Sequence, residues 1–182
     1  MPPIALLLAL LLAIPAHAQD SQDEGDLSYK AYVRSDKRIK CLYGYAADKT
    51  GDHAAAVAIF EDCVRRWNDV YSMIWLAQLY ETGVGVPRDL EQATALMRRG
   101  AHTNDDAAYA RLARYHYGVA LAEGRGTPQD IAQAKTWLRQ AAQEGVREAA
   151  DYLGRLEGAF QVLRLTYIIP ERPAEGDKNE KG

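Results

Sequence analysis

Thr82-Gly83-Val84-Gly85-Val86-Pro87-Arg88-Asp89-Leu90-Glu91-Gln92-Ala93 realigns with Glu123-Gly124-Arg125-Gly126-Thr127-Pro128-Gln129-Asp130-Ile131-Ala132-Gln133-Ala134 at an offset of 41 residues (124 − 83). The copies share Gly-x-Gly-x-Pro-x-Asp-x-x-Gln-Ala. Upstream, Ser72-x-x-x-Leu76-Ala77 matches Ala113-x-x-x-Tyr117-Gly118, and a partial copy begins at Ala149-x-x-x-Leu153-Gly154, 36 residues further on (153 − 117). Each piece has a local reason. Gly83 and Gly124 stand where a helix ends and a left-handed residue can satisfy dangling carbonyls. Pro87 and Pro128 stiffen the loop. Asp89 and Asp130 then cap a second helix, with Gln92 and Gln133 three residues on as a capping box. Small Ala and Gly positions let the helices approach closely. The unit is a helix–loop–helix that stacks on copies of itself.

Working outward, apolar periodicity predicts helices near 37–49, 53–66, 70–82, 90–101, 106–123, 131–144 and 147–165. They group into hairpins 37–66, 70–101 and 106–144 plus a capping helix 147–165, a repeat domain spanning 37–165. The first hairpin turns through Thr50-Gly51-Asp52 and lacks the Val-Gly-Val-Pro-Arg insertion. Residues 19–36 are polar, acidic and expected to be loosely ordered. Residues 166–182 read as a mostly disordered tail, and Leu163 to Ile169 could continue the helix or fold back as a strand.

With these motifs in place, the sequence resembles the Sel1-like repeat family, a relative of tetratricopeptide repeats, over about Ile39 to Phe160. Leu96-Met97-Arg98-Arg99-Gly100-Ala101 and Trp137-Leu138-Arg139-Gln140-Ala141-Ala142 occupy the segment where that family's second helix ends in Ala-Ala. The fold class expected is all-α, a short right-handed α-solenoid. The resemblance implies a protein-interaction module rather than an enzyme.

Met1 to Ala18 reads as a secretory signal peptide: eleven apolar residues from Ile4 to Ile14, then Pro15 and the small-x-small Ala16-His17-Ala18. The run is too short to span a bilayer as a helix, although no Lys or Arg precedes it. The expected mature chain starts near Gln19 and is periplasmic, or alternatively secreted. Residues 1–18 hold none of the 22 Lys+Arg or 25 Asp+Glu, and the net charge of −3 argues against a nucleic-acid partner.

Cys41 lies ten residues before Gly51 and Cys63 twelve after it, about 15 and 18 Å from the turn along their helices. The thiols should sit nearly opposite each other, and in an exported protein a disulfide is favoured over two separate buried thiols. Two Cys are too few for a thiolate zinc site or a disulfide-dense miniprotein. Sel1-like proteins of the bacterial envelope often pair the two helices of a hairpin in this way, which agrees with the placement.

No active site emerges. His53, His102 and His116 have no metal-ligand spacing, and the Gly-x-Gly loops neither follow a strand nor carry the Lys-Ser/Thr of a phosphate loop. His102 to Asp106 reads as an ordinary connector and cap. No cofactor is expected. A stacked array presents a concave face lined by the first helix of each pair. The expected partner-binding residues are Tyr71, Trp75, Gln78, Arg111, Arg114, Tyr115 and His116, since aromatics and Arg carry much interface energy. The expected partner is another exported or envelope protein, with the chain acting as adaptor, scaffold or assembly factor. The alternative is an immunity or inhibitor protein that blocks a periplasmic toxin or enzyme.

Overall fold

The computed structural model describes residues 29–104 and 109–166, with side chains through Gly158. Its elements are α1 (Lys30–Val33), α2 (Lys40–Lys49), α3 (His53–Trp67), α4 (Val70–Thr82), α5 (Leu90–Ala101), α6 (Tyr109–Glu123), α7 (Ile131–Gln143) and α8 (Arg147–Thr166). The expected signal peptide and the segment from Tyr167 onward lie outside the described residues. Among the described residues every element is helical, and α8 carries the Leu163–Thr166 stretch as helix.

From α2 onward each helix packs on its sequence neighbours, and α2, α4, α6 and α8 also touch one another in that order. The backbones of α3, α5 and α7 do not approach one another in this way among the described residues, although Arg99 of α5 donates to the Val64 carbonyl of α3 at 3.2 Å. The first helices of successive hairpins are therefore drawn together while the second helices splay apart. The result is a short α-solenoid with the first-helix row on its concave side.

Within a hairpin, close approach depends on small residues. A Cβ on Gly44 would collide with the Phe60 ring of α3, and one on Gly118 would stand 2.9 Å from Leu138 of α7. The equivalent Gly154 of α8 faces open space, because no described second helix follows to pack on it.

The loops act as read from the sequence, with one difference. Gly83 ends α4 in the left-handed region (φ 76°), its N–H donating to the Leu79 carbonyl. Asp89 and Asp130 accept from the Gln92 and Gln133 amides, 2.9 Å in both cases. The reciprocal half of the capping box is absent at Gln133, whose Nε2 donates to the Asp130 carboxylate instead. The Asp130 N–H already donates to the Leu121 carbonyl of α6, as Asp89 does to Tyr80 of α4. These amides tie the start of each second helix to the first.

The second glycine of each loop joins one hairpin to the one before. A Cβ on Gly85 would stand 2.8 Å from His53 Cβ at the start of α3. One on Gly126 would overlap the Leu90 carbonyl and the Glu91 nitrogen at the start of α5. Thr94 Oγ1 of α5 donates to the Arg125 carbonyl at 2.7 Å, sealing that contact.

The first hairpin is closed differently. Cys41 and Cys63 form a disulfide with Cα atoms 5.9 Å apart. Both are buried, in a cluster with Ile59 that Tyr29, Tyr32, Val33 and Trp67 cover. The stretch 19–36, expected to be loosely ordered, thus contributes a helical turn in its described part, with Tyr32 stacked on Tyr43 at 4.1 Å. Closing this 22-residue separation contributes about 3 kcal/mol in the chain-entropy model. Replacing both cysteines, Cys41→Ser with Cys63→Ser, should lower the unfolding free energy in urea by that amount. The wild type in reductant should behave alike. Unchanged stability in both experiments would show that the disulfide adds nothing to the contacts that already hold α2 on α3.

Candidate groove on the concave face

Residues on α2, α4 and α6 build a continuous aromatic strip along the first-helix row. Tyr45 of α2 packs on Trp75 of α4 with ring centroids 4.7 Å apart. Trp75 meets Tyr71 one turn earlier at 6.2 Å, and Tyr71 meets Tyr109 of α6 edge-on at 5.2 Å. Tyr45, Trp75 and Tyr71 share the face because they are either one turn apart on a helix or on adjacent first helices. Burial, then the neighbouring Tyr109, push the Tyr71 phenol up to about 12, so it remains a neutral hydroxyl throughout the physiological range.

Two hollows open on this strip. The larger, about 730 Å³, lies at the starts of the first helices, between Ile39 and Leu42 on one wall and Asn68, Tyr71, Asn104 and Tyr109 on the other. Asn68 ends α3 in the left-handed region (φ 51°), and its side chain accepts from Arg99 and donates to Thr103. That holds the hollow's rim to the end of α5. The smaller hollow, about 320 Å³, lies between α2 and α4 and includes Lys49, His53, Trp75, Gln78 and Thr82. Among the described residues, Ile39 (56% exposed), Leu42 (54%), Tyr43 (36%) and Tyr45 (39%) are the large apolar side chains left open, all on or just before α2.

The residues singled out from the sequence fall into two groups. Tyr71 and Trp75 are half-buried in the strip, and Gln78 is exposed beside Trp75. Arg111, Arg114, Tyr115 and His116 line neither hollow. Arg111 donates to the Glu144 carbonyl at the end of α7. Arg114 donates to the carbonyls of Ala101, the last residue of α5, and of Thr103 just beyond it, and pairs with the Glu144 carboxylate at 2.7 Å. These guanidinium groups meet the negative ends of two helices and bind the hairpins together. Tyr115 packs beside Val119, Leu138 and Val146. His116 lies against its ring at 5.0 Å, and burial, reinforced by Arg125, lowers the imidazole's pKa. Asp105 and Asp106 of the connector lie outside the described residues.

Ile39, Leu42, Tyr45 and Lys49 escaped the sequence reading. The signal was present: Leu42 and Tyr45 stand 33 residues before Trp75 and Gln78 (75 − 42 and 78 − 45). The first hairpin's shorter turn, 50–52 against 83–89, and its shorter passage from α3 into α4 together move the register by eight from the 41-residue repeat, so a search at the longer period passes over them.

Helical hairpins whose first helices form a shared concave face define an α-helical repeat scaffold, a class that binds with its surface rather than with a catalytic centre. The chain carries two Sel1 repeats, matched at residues 70–104 and 107–146. The first hairpin lies outside both matches, as its missing loop insertion would have it. Among solved structures, the chain is similar to a Sel1 repeat protein from Oxalobacter formigenes (TM-score 0.58, 24% identity, 65% of this chain and 48% of that one). It is also similar to c5321, a protective antigen of uropathogenic Escherichia coli with the same repeat fold (TM-score 0.51, 20% identity, 66% of this chain and 29% of that one). The chain spans about half of the first and under a third of the second, and these likenesses concern the fold alone. Comparison with curated proteins gives no significant match. Sel1 repeats generally mediate protein–protein interaction and are typically not catalytic.

Proposed function

We propose that this protein is an exported interaction module of the bacterial envelope, acting as an adaptor or assembly factor that holds a protein partner in its concave groove. The observation that carries the reading is the aromatic strip Tyr45–Trp75–Tyr71–Tyr109, which runs across three hairpins beside open apolar side chains. Large aromatics in a partly desolvated groove are the side chains that most often dominate binding energy. Export is supported by the pattern of residues 1–18 and by the disulfide, a bond that persists in oxidising compartments. No helix among the described residues is long and apolar enough to cross a membrane.

The test uses the chain in its native envelope. Cross-linking and capture should identify a partner, whose affinity for the purified mature chain is then measured. Trp75→Ala and the more open Leu42→Ser should each weaken it by about tenfold or more, equivalent to ~1.4 kcal/mol. Arg111→Glu with Arg114→Glu should lower thermal stability through the lost helix-end bonds. Full affinity in folded Trp75→Ala and Leu42→Ser proteins would rule out the groove. Retention in the cytoplasm on osmotic-shock fractionation would rule out export.

A further inference from the structure

The charges along the groove are arranged with one sign outward. Arg38, just before α2, is 66% exposed, while Asp69, 3.1 Å away, is 10% exposed. Asp69 already caps α4, accepting from the Ser72 N–H at 3.0 Å and its hydroxyl at 2.7 Å. At the other end of α2, Lys49 is 51% exposed, and Asp48, 2.9 Å away, is 11% exposed. Asp48 is also bonded to His53 Nδ1 at 3.0 Å. Burial works against the charged Asp48 carboxylate, but Lys49 and His53 outweigh it and hold its pKa below the ordinary value. Both acids are therefore covered and engaged from below, and the groove shows solvent a guanidinium and an ammonium. Between them lie Ile39, Leu42 and Tyr45, and the Lys49 ammonium stands 5.2 and 5.4 Å from the Tyr45 and Trp75 rings.

The spacing sets a ruler. Arg38 and Lys49 are eleven residues apart (49 − 38), about 16 Å at the helical rise. An extended chain covers that distance in about five residues. We propose that the groove recognises an extended acidic segment of its partner, with two carboxylates about five residues apart and aliphatic or aromatic side chains between them. The carboxylates would meet Arg38 and Lys49, and the apolar side chains would lie on Leu42, Tyr45 and Trp75. This rests on the groove being the binding face, and it adds the chemistry of what binds there.

The test needs no knowledge of the natural partner. The probe is the acetylated, amidated peptide Gly-Glu-Ser-Leu-Phe-Ser-Glu-Gly, compared with versions carrying Gln or Lys for both Glu. Binding to the mature protein is measured by titration at low and at ~0.5 M salt, where exposed charge attraction is largely screened. The Glu peptide should bind best, the Gln version about tenfold more weakly, and the Lys version more weakly still. High salt should remove the Glu advantage. Arg38→Glu with Lys49→Glu should reverse the order in favour of the Lys peptide, a reversal that general loss of folding cannot produce. No binding of the Glu peptide at ~1 mM, or an order unchanged by the charge reversal, overturns the proposal. If the three peptides bind equally and all weaken in Leu42→Ser, acid recognition is refuted while the groove survives. If Leu42→Ser changes nothing for any of them, the groove falls as well.

Discussion

Gly126→Ala should destabilise the protein by about 3 kcal/mol or more, whereas Gly51→Ala should cost about 1 kcal/mol. Both glycines occupy the left-handed region, at φ 61° and 92°, so the conformational penalty of a Cβ is similar at both. What differs is the surroundings. A Cβ at Gly51 meets nothing within 4 Å, while one at Gly126 overlaps main-chain atoms of Leu90 and Glu91. Backbone at the start of α5 cannot rotate aside as a side chain could. Relief requires lifting the α6–α7 loop from α5, which breaks the Thr94–Arg125 hydrogen bond and pulls Arg125 from Glu81, 3.2 Å away. Gly85→Ala should fall between the two, since its nearest neighbour is the His53 side chain and then the His53 carbonyl. Urea unfolding of the three variants gives the order directly. Equal losses at Gly126 and Gly51 would mean that only φ matters and that the loop does not clamp adjacent hairpins.

That contrast also shows what the sequence could and could not disclose. The first glycine of each loop is legible because its task is local, ending a helix, and the Asp caps are legible for the same reason. The second glycine answers to a main chain 36 residues earlier in the case of Gly126 and Leu90 (126 − 90), and no local rule contains that contact. The groove divides along the same line. The repeat alignment puts Trp75 and Gln78 on the more open side of α4, and there Gln78 is exposed and Trp75 half-buried. Arg111 and Arg114 stand out by residue type, but their α4 counterparts 41 residues earlier are Val70 and Met73, both buried. Their position therefore faces the neighbouring hairpin, where the Glu144, Ala101 and Thr103 oxygens engage them. The repeat register had more to say about them than their chemistry did.

Breaking the buried ion pair beneath the disulfide should have the other large effect. Lys40 is completely buried, with Nζ 2.5 Å from Asp62 Oδ2, 2.9 Å from the Val33 carbonyl of α1 and 5.8 Å from the Trp67 ring centroid. Asp62 is 8% exposed and also receives Arg65 and, at 3.0 Å, Arg66. The pair thus joins α1, α2 and α3 at the open end of the first hairpin, opposite its Thr50-Gly51-Asp52 turn. Asp62→Ala leaves an ammonium buried with only one carbonyl to face, and should lower stability by about 3–5 kcal/mol. Lys40→Met with Asp62→Leu removes both charges while keeping volume, and should recover most of that loss. Acidity provides an independent check. Burial works against the Asp62 carboxylate, but Lys40 and then Arg66 outweigh it and hold its pKa below the ordinary value. A carboxyl depressed in the folded state contributes stability that is complete above its unfolded pKa, about 4, and is lost as pH falls through the folded value. The wild type should therefore lose stability below about pH 4 more steeply than the Met/Leu double variant. The double variant keeps only the smaller acid dependence of groups such as Asp48 and Asp130, whose pKa values are also lowered. If the double variant is as unstable as Asp62→Ala, the charges themselves hold α1 and α2 on α3. If it is restored and its acid limb flattened, the ion pair fixes which side chains meet at the first hairpin, and apolar packing with the disulfide supplies the stability.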